Sequence, residues 1–222
     1  YYQPPTQEYI NPKTTVRVGL VQWQMRSYKT LDDLFEQVEF FVDAVSDYKS
    51  DFVLFPEYFN APLMSKFNDK GESQAIRGLA KYTDEIRERF MNLAISYNIN
   101  IITGSMPYVK EDGLLYNVGF LCRRDGTYEM YEKIHVTPDE IKSWGLSGGK
   151  SLQTFDTDCA KIGVLICYDV EFPELSRIMA DQGMQILFVP FLTDTQNAYS
   201  RVKVCAHARA IENECFVVIA GS

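Results

Sequence analysis

Three side chains in this 222-residue chain have the types and settings that covalent chemistry needs: a thiol, a carboxylate and an ammonium. Cys167 follows the apolar run 162–166 (Ile-Gly-Val-Leu-Ile) and precedes Tyr-Asp-Val-Glu-Phe-Pro-Glu. A β-branched apolar run reads as a buried strand. Pro173 suits the first position of a helix, and Leu175, Ile178 and Met179 continue at helical spacing. Cys167 is therefore expected on a strand-to-helix turn near the positive end of a helix. That setting lowers a thiol pKa and favours the nucleophilic thiolate. Glu57 follows 51–56 in the context Phe-Pro-Glu-Tyr-Phe-Asn-Ala-Pro-Leu-Met. A carboxylate at the C-terminal end of a strand lies where open α/β sheets hold their sites. Phe55, Tyr58 and Phe59 are expected to desolvate it and raise its pKa into the range of a general base. Lys133 ends the strand-like run 128–133, and its ammonium could stabilise an oxyanion. His135, two residues on, reads as an orienting or packing residue.

Taken singly, each has a plainer reading. A cysteine that ends a hydrophobic strand commonly behaves as a small apolar residue, and a loop Glu or a strand Lys commonly faces water. Cys122, Cys159, Cys205 and Cys215 have no charged cluster beside them and read as packing residues. Spacing alone does not join Glu57, Lys133 and Cys167 into one site.

The elements that would position them are legible from periodicity. A first strand is expected over 17–23. An amphipathic helix is expected over 31–48, with Leu31, Leu34, Phe35, Val38, Phe41, Val42 and Val45 on one face. A short buried strand over 52–55 stops at Pro56. Thr83 is expected to cap a second helix that turns Ile86, Phe90, Leu93, Ala94 and Tyr97 inward, and 99–103 reads as a strand. The stretches 116–122 and 127–131 flank Arg-Arg-Asp-Gly and read as a hairpin. After a glycine-rich loop at 145–149, strand, helix and strand return over 162–166, 173–181 and 185–189. A helix over 197–213 then leads to a strand over 216–220. Strand–helix alternation around a hairpin implies a layered α/β domain with a mixed sheet.

Composition narrows the function. Hydrophobic content of 46% and charged content of 23% are those of a globular domain. The net charge of −8, with no Lys/Arg cluster, argues against nucleic acid or an anionic membrane surface as partner. No apolar run reaches the roughly 18 residues of a membrane helix. Five scattered cysteines point to a reducing, cytoplasmic setting. With only His135 and His207 and no Cys-x-x-Cys, neither a metal nor another cofactor is expected. Residues 1–15 carry three prolines and read as a linker or arm. The folded domain is then expected over 16–222, and an abrupt stop after the strand at 216–220 leads us to expect further C-terminal elements.

Glu57 in FPEYF, Lys133 in YEKIHVTPDE and Cys167 in GVLICYDVEFPEL, in that order, resemble the Glu–Lys–Cys segments of the nitrilase superfamily of carbon–nitrogen hydrolases. The stretch 206–213 (AHARAIEN) resembles a helix of the same family. The resemblance runs from Val16 to Ser222. It implies a four-layer α-β-β-α sandwich with mixed sheets that assembles as a homodimer or higher oligomer. It makes Cys167 the nucleophile, Glu57 the general base and Lys133 the oxyanion stabiliser, helped by the backbone N–H of Tyr168. A second glutamate a few residues after the lysine positions the site; Glu140 fits best, with Asp139 adjacent and the register open. The implied reaction is hydrolysis of a small amide, or less commonly a nitrile, through a Cys thioester. Acyl transfer by the same chemistry and a non-catalytic regulatory or binding domain are the alternatives. Loops at 60–70, 144–149 and 191–199 would shape the pocket, with Tyr168, Phe191, Leu192 and Thr193 as substrate-facing residues. The wording EYFNAPLM, with Asp194-Thr195 later, is similar to a bacterial branch in which this domain follows an N-terminal acetyltransferase-like domain.

Overall fold

The computed structural model describes residues 15–222; the expected N-terminal arm lies, apart from Thr15, outside the described residues. The first part of the chain alternates Val18–Leu20 (β1), Leu31–Asp47 (α1), Phe52–Leu54 (β2), Glu72–Leu79 (α2), Thr83–Ser96 (α3) and Asn100–Ile102 (β3). Met106–Val109 (β4), Leu115–Cys122 (β5) and Tyr128–Glu132 (β6) follow. The second part contains Phe155–Asp156 (β7), Lys161–Val164 (β8), Pro173–Asp181 (α4), Ile186–Phe191 (β9), Gln196–Asn213 (α5) and Phe216–Gly221 (β10).

Among the described residues these strands form two mixed sheets. In the first, β1, β2 and β3 run parallel, and β5 pairs antiparallel with β3, β4 and β6. β3 and β4 lie end to end along one edge of β5, with the break at Gly104. In the second, β10, β9 and β8 are parallel and β7 closes the edge antiparallel to β8. Side chains alternate across a strand, so each central strand feeds two cores. Val53 and Phe55 join Leu34, Val38, Phe90 and Ala94 of α1 and α3 on one face of the first sheet. Phe52, Leu54 and Ile102 join Phe188, Leu187 and Val164 of the second sheet on the other. Leu175, Met179, Val202 and Ala206 of α4 and α5 complete that second core. The order is therefore helix, sheet, sheet, helix. The Phe52 and Phe188 rings, 5.2 Å apart between centroids, meet across the central seam. No helix among the described residues is long and apolar enough to cross a membrane.

Local signals explain most boundaries. Thr30 caps α1: its hydroxyl accepts from Asp33 N at 3.0 Å, while the Asp33 carboxylate accepts from Thr30 N at 3.0 Å. Pro173 stands at the start of α4. Thr83 does not cap α3. It is the first helical residue, its hydroxyl donates to the buried Pro107 carbonyl at 2.6 Å, and Tyr82 occupies the cap position. A buried carbonyl without an N–H partner has claimed the hydroxyl that the helix end could have used. β4, α2 and the short 3₁₀ helix Ala61–Phe67 were not expected from periodicity.

Gly104 has φ +70°, and a Cβ there would stand 2.0 Å from the Pro56 carbonyl oxygen. The bend it allows brings the β3–β4 junction against the exit of β2, where Glu57 begins. Gly104→Ala is expected to lower stability by about 2 kcal/mol or more, combining strain at positive φ with a backbone clash. Urea denaturation checks this; a change within about 0.5 kcal/mol, the scale of a neutral surface substitution, would show that the approach is not tight.

Candidate active site

The strand ends converge on one point. β2 runs through Phe55-Pro56 to Glu57, whose backbone bridges to Ser105. Tyr58 N donates to Ser105 O at 2.7 Å and locks that exit. β6 ends at Glu132, and Lys133 N donates to Asn117 O on β5 at 2.9 Å. β8 runs through Leu165 and Ile166 to Cys167, which opens the 3₁₀ helix Cys167–Glu171. β9 ends beside Leu192. Glu57, Lys133, Cys167 and Glu140 are all buried, with relative exposures of 2, 1, 7 and 7%. The strand lysine and the loop glutamate therefore do not face water.

Lys133 Nζ stands 2.8 Å from Glu57 Oε1 and 2.9 Å from Glu140 Oε1. Glu140 begins a π-helical turn, Glu140–Trp144, and is held in place from three sides. Tyr58 OH donates to its Oε1 at 3.0 Å, Thr137 N donates to its Oε2 at 2.7 Å, and Glu140 N donates to Thr137 Oγ1 at 3.2 Å. The open register thus resolves geometrically: Glu140 turns in to the lysine and Asp139 is exposed. Glu57 also accepts from Asn117 Nδ2 at 2.9 Å and from the Leu192 backbone N–H at 2.9 Å.

Burial pushes the Glu57 carboxyl above its ordinary range; the charge of Glu140 adds to this, and Lys133 opposes it without cancelling it. The direction matches the sequence expectation, though a neighbouring carboxylate acts here as well as the aromatic residues. Two carboxylates around one ammonium hold the Lys133 proton firmly, overcoming the opposing effect of burial. The thiol departs from expectation. Cys167 is pushed well above its usual value, first by burial and then by the charge of Glu57. The helix it opens is a five-residue 3₁₀ turn, and α4 starts only at Pro173, so helical dipole is weak at the sulfur. Burial and the Glu57 charge both favour the protonated thiol, whose Sγ donates to Leu192 O at 3.6 Å.

Two of the five non-glycine residues with positive φ among the described residues lie here. Cys167 has φ +49° and Tyr58 φ +52°, a left-handed conformation that side chains with a Cβ rarely adopt. Each costs of order 1–3 kcal/mol and persists only where packing enforces it. Asp169, buried two residues after Cys167, accepts from Ile134 N at 3.0 Å and from His135 N at 2.7 Å. Its Oδ1 also lies 2.9 Å from His135 Nδ1, and the imidazole stacks on Phe172 at 3.6 Å. His135 thus orients and packs, tying the Lys133 segment to the Cys167 turn.

A cavity of about 540 Å³ opens over these groups, walled by Tyr58, Met64, Trp144 and Leu192. A second lobe of about 390 Å³ reaches Cys167 from the side of Tyr168 and Thr193. Phe191 faces a separate cavity with Trp23 and Tyr199. Trp144 opens the loop 144–149 that was expected to shape the pocket, and it lines the larger lobe; sequence reading missed Asn117, Tyr58 as a hydrogen-bond donor, and Thr137. None of these three carried a visible signal in its local sequence.

Residues 17–222 match the carbon-nitrogen hydrolase family model. The chain is 44% identical over 222 residues to "Probable hydrolase YhcX" of Bacillus subtilis, covering all of this chain and 43% of that protein. It thus spans less than half the length of that relative. It is 32% identical over 216 residues to the human "Omega-amidase NIT2", covering 93% of this chain and 74% of that one. The fold superposes on Saccharomyces cerevisiae Nit3, a member of branch 10 of the nitrilase superfamily, with a TM-score of 0.75 at 24% identity over 93% of this chain and 75% of that one. The chain belongs to the carbon–nitrogen hydrolase family, the nitrilase superfamily that its three strand-end segments resemble.

Proposed function

We propose that this domain hydrolyses a small amide through a thioester on Cys167. The observation that carries this reading is the buried arrangement of a thiol, a carboxylate with raised pKa and a firmly charged ammonium around one cavity. Glu57 removes the thiol proton as Sγ attacks the amide carbon, and the carbonyl electron pair moves to oxygen. The Lys133 ammonium and the Tyr168 N–H stabilise that oxyanion; Tyr168 lies in the first turn of its helix, where N–H groups lack helical partners. Collapse of the intermediate breaks the C–N bond, and Glu57 gives its proton to the departing ammonia. Water, deprotonated by the same carboxylate, attacks the thioester; the carboxylic acid leaves and the proton returns to sulfur. Glu140 holds Lys133 and limits its motion. Relatedness to an omega-amidase supports an amide over a nitrile.

The reading extends to assembly. Exposed Val204 and Ile211 on α5 and Phe216 on β10 support a homodimer built on that face. The match covers 43% of the Bacillus relative, which supports a place for this domain within a longer chain.

Cys167→Ala is expected to abolish ammonia release while the domain stays folded, and intact mass should show an acyl adduct on unsubstituted chains only. Ammonia release that continues in Cys167→Ala would end the mechanism. Added amine that raises amide consumption and appears in product would move the assignment to acyl transfer. Because Glu57 must be ionised to act, kcat/KM should rise with pH through a limb above the ordinary Glu value of about 4.3. Glu57→Gln should remove that limb and slow turnover by about 10²–10⁴-fold. Lys133→Met should cost about 3–5 kcal/mol of stability, since it leaves two buried carboxylates facing each other. Their folded pKa values then exceed the unfolded ones, so the folded state gains relative stability as pH falls. The deficit seen in urea denaturation should therefore shrink on acidification; a deficit independent of pH would contradict the charge argument.

A further inference from the structure

We infer that the cavity over Cys167 selects amides bearing a cationic amino group and disfavours amides bearing a carboxylate. The inference rests on the reading of Cys167 as nucleophile. Glu72, Asp139 and Asp194 line the larger lobe with exposed side chains. None of the three forms an ion pair or a side-chain hydrogen bond among the described residues. Asp139 and Asp194 also line the second lobe, so both approaches to the sulfur pass a free carboxylate.

The two lobes contain two cations, and both are taken. Lys133 is clamped by Glu57 and Glu140 at 2.8 and 2.9 Å, and Arg201 Nε stands 3.3 Å from Glu171 Oε1. A substrate carboxylate would find no unpaired cation and would meet the rim charges. A substrate ammonium would find three unpaired carboxylates. Trp144, edge-on to Tyr58 with centroids 5.2 Å apart, adds an aromatic wall to the same lobe, and indole attracts cations. A cavity lined by charge of one sign concentrates the opposite charge about 10–10³-fold.

The test uses the whole chain and two matched series. The first compares hydrolysis of δ-aminovaleramide, valeramide and glutaramic acid, which share a carbon skeleton and differ in end-group charge. The second compares modification of Cys167, read by peptide mapping, by aminoethyl, methyl and sulfonatoethyl methanethiosulfonates, each normalised to a small free thiol. At low ionic strength the cationic member should exceed the anionic one by about tenfold or more in kcat/KM and in modification rate. Salt should shrink both ratios, and Asp139→Asn combined with Asp194→Asn should bring them towards unity. Equal or reversed ratios, or ratios that neither salt nor the double variant moves, would overturn the inference. If valeramide is hydrolysed and the ratios are flat, this inference alone fails. If none of the amides releases ammonia, the hydrolase reading fails, and the ranking of the thiol reagents still decides the charge of the cavity.

Discussion

The site depends on one ammonium shared between two buried carboxylates. Removing three charged groups from water costs several kcal/mol per ion, and their mutual attraction repays it only with good geometry and further hydrogen bonds. Those bonds are present. Asn117 and the Leu192 N–H serve Glu57, and Tyr58 and the Thr137 N–H serve Glu140. Each donor comes from a different segment: the middle of β5, the exit of β9, the exit of β2 and the loop after β6. An apolar cluster of the same volume would be as stable or more so. The arrangement therefore constrains the fold more than it strengthens it, because losing any one donor leaves charge unsatisfied in the interior.

This constraint accounts for the backbone around it. Tyr58 adopts a left-handed conformation directly after Glu57, and that turn carries its hydroxyl to Glu140. Cys167 adopts the same conformation where β8 gives way to a 3₁₀ turn, placing sulfur at the cavity floor. Gly104 permits the close approach of the β3–β4 junction to Pro56, and the Tyr131 hydroxyl caps the Gly104 carbonyl at 2.6 Å. Asp169 then joins the two halves of the site by accepting from both N–H groups that follow Lys133. The strain at Tyr58 and Cys167 falls where strands of the two sheets meet, and the buried Phe52–Phe188 seam packs those sheets together.

Helices α1, α3, α4 and α5 and most of the strands were legible because their signals are local. The face of α1 from Leu31 to Val42 and the Pro173 helix start follow from residues a few positions apart. Glu57, Lys133, Cys167 and Glu140 were legible through motif resemblance, and the geometry brings those four together. What escaped was non-local. Asn117 lies in a fully buried strand, and nothing in the run Leu-Tyr-Asn-Val-Gly marks its amide for a carboxylate 60 residues away. The Leu192 contact is made by backbone and is independent of the side chain. Thr83 has the chemistry of a cap, yet the Pro107 carbonyl competes for it from another element. The thiol was misjudged for the same reason: the helix following Cys167 was visible, but the buried Glu57 charge beside it comes from 110 positions earlier in the chain.

That misjudgement changes the chemistry that can be argued. A thiolate kept by a helix dipole would be reactive towards any electrophile. Here burial and Glu57 both disfavour the anion, and burial together with Glu140 disfavours the Glu57 carboxylate. The two raised groups share one low-dielectric space, so proton transfer from sulfur to carboxylate would exchange one buried anion for another rather than create a new one. Lys133 already favours both anions at rest without overcoming their burial, and it is held between two carboxylates. On the mechanism proposed above, once Glu57 takes the thiol proton that carboxylate would be neutral and the ammonium partly released towards the cavity. The cation thus becomes available as charge develops on the substrate, so its stabilisation falls on the transition state rather than on the bound amide.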